Sequence, residues 1–356
     1  MVRACRRVAV SLVLSMKSHK VLIATHETLI PPESVAGMSM QEVDTFRVEY
    51  DVREALCRLG HQVEFVGMGD SVGRLREAVQ AIAPDIVFNL LEEFGGIVTY
   101  DHHLVGVLEL LRQPYTGCNP RGMMISRDKV LTKQLLAYHR IPTPDFSVHR
   151  RGYRIMVPRR QRYPAFVKSA TEDASLGISQ ASVVEDAVRL RERIEFIHEQ
   201  VQSDALVEDY IPGREIYMGV LGNERLTVLP PRELYFGALS EGQAPIATRK
   251  VKWDRNYQTR HGIQQIDAES LPPGLQERLI VASKRIFRAL HLSGYARMDF
   301  RVRDDGAIYV LEANCNPNLA VIEDFSRSAQ RAGIAYDALI ARILSLGLAY
   351  RAAWTL

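Results

Sequence analysis

Residues 295–314 read YARMDFRVRDDGAIYVLEAN. Two alternating runs flank Asp305-Gly306, a strong two-residue hairpin signal. With those two residues as the turn, Asp304 pairs with Ala307, and counting back sets Phe300 against Leu311, Asp299 against Glu312 and Arg297 against Asn314. Side chains alternate along a strand, so Met298, Phe300, Val302, Tyr309, Leu311 and Ala313 share an apolar face. Arg297, Asp299, Glu312 and Asn314 share the other. Carboxylates directly opposite each other sit about 5 Å apart, and like charges there are destabilising. A cation is expected between them. Oxygen donors without Cys or His select a hard one, Mg²⁺ or Mn²⁺, with Asn314 offering a third oxygen. The alternative is a solvated polar face on which Arg301 and Arg303 neutralise the acids; a longer turn would separate Asp299 from Glu312.

The flanking chain alternates strands and helices. His19–Thr25, Gln62–Val66 and Asp85–Leu91 read as strands, with helices over Gln41–Gly60, Val72–Ile82 and Asp101–Leu111. This predicts a parallel sheet covered by helices, ending near Gly117. An Arg127–His139 helix follows. Tyr163–Ser169, Ser175–Val184, an Ala187–Gln202 helix and Ala205–Tyr210 then form a β-β-α-β set. Glu215–Leu221 and Leu226–Leu229 pair about Gly222-Asn223. Gln276–Leu290 and Tyr336–Gly347 read as helices. Gly237–His261 lacks clear periodicity, which marks a functional loop or lid.

Composition excludes other classes. Of 356 residues, 47% are hydrophobic and 24% charged, and 45 Lys+Arg against 42 Asp+Glu leave a formal charge of +3. That is an ordinary globular chain of about two or three domains. It has no basic stripe for nucleic acid and no apolar run of about 20 residues to span a membrane. Cys5, Cys57, Cys118 and Cys315 show neither CxxC nor zinc spacing, so a reducing, cytoplasmic setting is expected. Arg3, Arg6 and Arg7 before Val8–Val13 faintly resemble a signal peptide. The apolar part is short and no cleavage site follows, so residues 1–16 are expected to be a disordered extension.

A cation between carboxylates often serves phosphate chemistry. No GxxxxGK[ST] occurs. Gly67-Met68-Gly69 is followed by Gly73, one place too late for a dinucleotide fingerprint, which argues against a nicotinamide oxidoreductase. The remaining phosphate candidates are Lys168 at the end of a strand, Lys129 early in a helix, and the small-residue loop Thr171–Gly177, whose amides can cover an anion.

Six segments in order resemble the ATP-grasp superfamily, and within it the D-alanine–D-alanine ligases: Val87–Leu91 (VFNLL), Pro114–Gly117 (PYTG), Ser126–Lys129 (SRDK), Pro164–Ile178 (PAFVKSATEDASLGI), Val207–Asn223 (VEDYIPGREIYMGVLGN) and Arg297–Asn314, ending in LEAN. The likeness spans His19 to Leu346. It implies an α/β (α+β) fold of three subdomains: a Rossmann-like N-terminal sheet over 17–120, a central lid subdomain over 121–212 and a C-terminal subdomain with the metal site over 213–356. It implies that Lys129 and Lys168 contact ATP phosphates, that Ser175 belongs to the phosphate-covering loop, that Glu208, Asp209, Tyr210 and Ile211 line the adenine site, and that Glu215 holds the ribose. Asp299, Glu312 and Asn314 would bind two Mg²⁺, with Glu312 bridging and Mn²⁺ an alternative. Arg297 would stabilise the transferred phosphoryl group, and Lys252-Trp253 is the nearest match to the family's Lys-Tyr pair in the closing loop.

The substrate half departs from that pattern. Glu92-Glu93-Phe94-Gly95-Gly96 replaces a His-Gly and a later acidic run. Pro317-Asn318-Leu319 replaces a Pro-Gly-Met turn, and Glu323 stands near a Ser that holds a substrate carboxylate. Glu27 is only a loose candidate for an amino-group ligand. The expected activity is therefore ATP-dependent joining of a carboxylate to an amine through an acyl phosphate, on small amino-acid or peptide-like substrates. Glu92, Glu93 and Glu323 favour an amine-bearing partner, unless Arg327 or Arg331 pairs with them. A homodimer is compatible with this reading. The alternatives are a genuine D-alanine–D-alanine ligase and a non-catalytic nucleotide-binding protein of the same fold.

Overall fold

The structure, a computed structural model, describes residues 17–172, 175–239, 242–352 and 355. The expected N-terminal extension lies outside them, as do two residues of the small-residue loop. The described chain forms three sheets. The first is parallel, in the order β2-β1-β3, from β1 (Lys20–His26), β2 (Gln62–Met68) and β3 (Ile86–Asn89). The PYTG segment extends it, because Val87 donates to Pro114 and accepts from Thr116. Val21, Leu22, Ile23 and Ala24 are fully buried, since helices cover both faces of such a sheet.

The second sheet is antiparallel, in the order β4-β7-β5-β6. It comprises β4 (Phe146–His149), β5 (Ala165–Ser169), β6 (Val183–Val184) and β7 (Ala205–Asp209). The expected strand over Ser175–Val184 is corrected: only its last two residues pair, after a turn with positive φ at Ser175 and Gly177 and a short 3-10 helix over Gln180–Ser182. β4 was not expected; its four residues are too few for periodicity to show.

The third sheet is antiparallel and carries the site. It contains β8 (Arg214–Leu221), β9 (Thr227–Val228), β10 (Arg232–Tyr235), β11 (Gln264–Asp267), β12 (Tyr295–Val302) and β13 (Ile308–Cys315). The order is β11-β10-β8-β12-β13, with β9 pairing to β8 as expected. β10 and β11 enclose the Gly237–His261 loop, which contains two short helices, Arg249–Trp253 and Arg255–His261, capped by Thr248 and Asp254. The expected Gln41–Gly60 helix is also two, broken between Asp44 and Arg47, with a Ser39–Glu42 capping box opening the first. A further helix, Asp324–Arg331, was not anticipated.

The deciding hairpin is corrected in detail. Arg303 and Ala307 close a three-residue loop of Asp304, Asp305 and Gly306, with Gly306 at φ +77°. A three-residue loop with a left-handed glycine at its last position is a common hairpin connection. It shifts the pairing by one, so Phe300 faces Val310. A bulge between Asp299 and Phe300 then restores the register, and Asp299 faces Glu312 after all. Two departures cancel. Consequently Val310 and Ile308, rather than Leu311 and Tyr309, join Met298, Phe300 and Val302 in the core.

Candidate active site

Antiparallel pairing places one row of side chains straight across the third sheet: Glu312, Asp299, Tyr217, Arg232 and Asp267. Beside it run Asn314, Arg297 and Gly219, and on the other flank Arg301, Glu215, Leu234 and Gln265. Residues opposite one another point to one face, so twelve strand positions converge there without any being adjacent in sequence beyond alternation.

Arg297 grips Asp299 through two bonds, Nε to Oδ1 at 2.7 Å and Nη2 to Oδ2 at 2.8 Å. Its guanidinium stacks 4.5 Å from the Tyr217 ring centre. The Asn314 amide donates to Asp299 at 3.0 Å and to Glu312 at 3.3 Å. Burial pushes the Asp299 carboxyl up to about 7, and Glu312 adds to this against the pull of Arg297. Burial would raise Glu312 too, but Lys252, Lys129 and Lys168 outweigh it and hold the group below the usual carboxylate range. Cationic side chains from three separate segments thus converge on one carboxylate. Arg301 and Arg303 do not neutralise this pair. Arg301 binds Glu215 at 2.8 Å in the buried layer, and Arg303 pairs with Asp305 in the turn.

The expected nucleotide residues fall into two groups. Glu208 is buried, with Lys133 at 2.6 Å and Lys168 at 3.1 Å. Burial opposes its ionisation, yet the two lysines lower its pKa. Lys129 donates to the carbonyl of Glu172 at 2.7 Å, beside Ser169, whose hydroxyl accepts from the amides of Thr171 and Glu172. Ser175 is buried and donates to the carbonyl of Ala247, which ties the small-residue loop to the long loop. Glu215 is engaged by both Tyr217 and Arg301. Asp209 points to Arg162, leaving Tyr210 and Ile211 half-buried beyond the strand end.

The expected substrate residues are less concentrated. Glu323 stands at the N-cap position of the Asp324–Arg331 helix without a side-chain capping bond, and burial and Asp324 raise its pKa against Arg297 and Arg327. Asn318 accepts from the amide of Ala320. Glu92 is exposed, and its charge reaches Glu49 and Tyr295; Glu93, its half-buried neighbour, precedes the Phe94–Ile97 bridge. Glu27 pairs with Arg74 and packs on Gly67 and Gly69, none of them residues of the site. Arg331 pairs with Asp267 rather than with these acids.

Sequence reasoning missed Lys133, Glu49, Tyr217, Arg232 and Asp324. Lys133 had a signal: it stands four residues after Lys129 on one helix, so the two share a face. Arg232 and Tyr217 had none, because β10 was unrecognised and only its pairing brings Arg232 into the row.

Asp299, Glu312 and Asn314 offer oxygens on one sheet face, a donor type that suits a hard divalent cation. No helix among the described residues is long and apolar enough to cross a membrane.

Comparison with known proteins bears on the same region. The family model described as D-ala D-ala ligase C-terminus matches residues 134–345. An uncharacterised protein of Sinorhizobium fredii is 33% identical, covering 84% of this chain and 87% of its own. The D-alanine–D-alanine ligase of Nitratidesulfovibrio vulgaris is 32% identical over 83% and 91%, and that of Syntrophotalea carbinolica 30% over 87% and 93%. A crystal structure of the Bacillus anthracis D-alanine–D-alanine ligase complexed with ATP shares the fold, with a TM-score of 0.72 at 23% identity over 93% of this chain and 98% of that one.

Proposed function

Because the chain belongs to the D-alanine–D-alanine ligase family of ATP-grasp proteins, we propose that it is an ATP-dependent ligase joining a carboxylate to an amine through an acyl phosphate. The observation that carries this is the placing of Asp299, Glu312, Asn314 and Arg297 on one sheet face, where the charges of Lys129, Lys168 and Lys252 from other segments reach Glu312. The subdomains are taken as 17–120, 121–212 and 213–356.

Asp299, Glu312 and Asn314 would hold two Mg²⁺ ions, or Mn²⁺. When bound, such cations neutralise charge on the transferring phosphoryl group. Lys129 and Lys168 bind nucleotide phosphate, and Glu208 keeps Lys168 in place. A carboxylate oxygen of the donor forms a bond to the terminal phosphorus as the bond to ADP breaks. The amine nitrogen then attacks the acyl carbon; the C–O bond to phosphate breaks, phosphate departs with the electron pair, and the nitrogen loses its proton. Arg297 stabilises the oxyanion between these events, in a site whose donors are set before reaction. The long loop bearing Lys252 excludes water from the acyl phosphate.

Glu92, Glu93, Asn318 and Glu323 mark an altered substrate site. The narrower reading, a genuine D-alanine–D-alanine ligase, is favoured by the relatives' names. One assay separates the two: phosphate release from ATP and Mg²⁺ with a panel of amino acids and amines. Turnover with D-alanine alone supports the narrower reading, and turnover requiring another pair supports the altered site. Tight ATP binding with no turnover under any condition would leave a binding protein. Glu312→Gln is expected to reduce turnover at least a thousandfold, and normal turnover would refute the metal assignment.

A further inference from the structure

Tyr217 takes no part in the chemistry above, yet it stands at the centre of the row, opposite Asp299 on one side and Arg232 on the other. It is 3% exposed. The Arg297 guanidinium lies over its ring, 4.5 Å from the centre. That contact fixes the plane of the guanidinium through the π face of the ring and uses none of its N–H donors. Asp299 takes two of them, on Nε and Nη2. The ring is held in turn. Its hydroxyl donates to Glu215 Oε1 at 2.8 Å, and Arg301 binds the other oxygen of Glu215 at 2.8 Å. A buried tyrosine whose hydroxyl is bonded keeps one ring orientation.

The same residue belongs to the small core beneath the long loop. Tyr217, Leu234, Phe236, Val251 and Ile263 form a buried cluster, with Ala247 and Tyr257 packed against it. Leu234 and Phe236 stand where β10 runs into the loop, and Ile263 where the loop runs into β11. Val251 lies in the Arg249–Trp253 helix, one residue before Lys252. Ala247 accepts the hydrogen bond from Ser175. Among the described residues of that cluster, Tyr217 alone comes from β8. The packing of the loop therefore meets the arginine at this ring. The charges of Lys252 and Arg297 both reach Glu312.

We infer that Tyr217 is a positioning residue that ties the seating of the 237–261 loop to the orientation of Arg297, so that the acyl phosphate is covered when the arginine is in place. The inference rests on the ligase reading, and the test separates the two. With ATP, Mg²⁺ and a panel of amino-acid donors, hydroxylamine traps an acyl phosphate as a hydroxamate and releases one phosphate each time. Hydrolysis releases phosphate without hydroxamate. No hydroxamate from the wild-type protein with any donor overturns the ligase reading, and this inference with it. With the donor so identified, Tyr217→Leu removes the ring. The ratio of phosphate to hydroxamate is expected to rise at least about fivefold and kcat to fall at least about tenfold, with KM for ATP within about threefold of wild type, the pattern of an interaction made in the transition state. The ratio is independent of the fraction of protein folded, so loss of structure alone leaves it unmoved. Tyr217→Phe keeps the ring and should hold the ratio within about twofold. A ratio unmoved by Tyr217→Leu, or raised equally by Tyr217→Phe, overturns the role of the ring. Trypsin supplies a readout without turnover. Arg249, Lys250 and Arg255 are exposed on the loop. Cleavage there, read from fragment masses, should be at least about fivefold faster in Tyr217→Leu than in wild type, and equal rates overturn the tie to the loop. If Tyr217→Leu does not fold, Val251→Ala trims the same cluster from the loop side. It should raise both the ratio and the cleavage rate at least about threefold; no change in either overturns the inference.

Discussion

Glu49 illustrates what one buried acid does to a protein of this size. It is 4% exposed, and it receives a hydrogen bond from Thr25 at 2.7 Å. Burial raises its pKa, and Glu92 contributes in the same direction. A group whose folded pKa is raised favours the fold below its unfolded value, about 4.3. That contribution is lost as pH rises toward the folded value. Glu49→Gln keeps an acceptor for Thr25 and removes the charge. Thermal melts are expected to coincide near pH 4 and to favour the variant at pH 8; a variant less stable at pH 8 would contradict this account. Lys133 works in the opposite sense. Its ammonium compensates Glu208 from inside the protein, and burial lowers its pKa while Glu208 restores part of it. Lys133→Met leaves Glu208 with Lys168 alone. The expected cost is about 2 kcal/mol, below the roughly 3–5 of a fully orphaned buried charge. It should appear in denaturant unfolding, together with a severalfold weaker KM for ATP.

The hairpin and the helix packed over its sheet carry the next scale. The three-residue turn and the bulge compensate each other, so deleting one residue from the Asp304–Gly306 loop should slide Phe300 and its neighbours out of register while leaving their chemistry intact. Gly219 is the point where the Asp324–Arg331 helix meets the sheet. A Cβ there would stand 2.8 Å from Leu229 and 3.0 Å from Phe325. Gly219→Ala is therefore expected to cost about 1–3 kcal/mol by overpacking. It should also lower kcat/KM for the amine more than for ATP, because the helix moves and the lysines do not. Equal losses for both substrates would show that the helix does not set the amine site.

Across the whole molecule, the 237–261 loop bridges three units. Arg255 pairs with Asp44 near the first sheet, and Gln180 and Ser175 of the central unit bond to Ala244 and Ala247. The Arg255–Asp44 pair is exposed on the arginine side, so its direct contribution to stability is about 0–1 kcal/mol. Its consequence is access of water. Arg255→Ala is expected to leave the melting temperature nearly unchanged and to raise severalfold the ratio of phosphate released to amide formed, because an acyl phosphate left uncovered hydrolyses. An unchanged ratio would show that the pair does not hold the loop closed.

Local pattern alone determined much of this protein. Alternation in 295–314 put Arg297, Asp299, Glu312 and Asn314 on one face, and apolar periodicity placed the first three strands and most of the helices, because side-chain direction repeats every two residues in a strand and every 3.6 in a helix. The ordered motifs carried the family and its fold. The turn itself was misread, and only the compensating bulge preserved the acidic pair. What the tertiary structure decided lies across strands. β10 and β11 are short and separated by the long loop, so Arg232 and Asp267 reach the row of Asp299 only through pairing that no local period encodes. Asp324 is the clearest case: in sequence it is one acid beside another, and only the packing of Phe325 on Gly219 buries it beside Arg232 and within reach of the Arg297 charge. Burial and cross-strand neighbours set the energy of a charge, and both come into existence when distant segments meet.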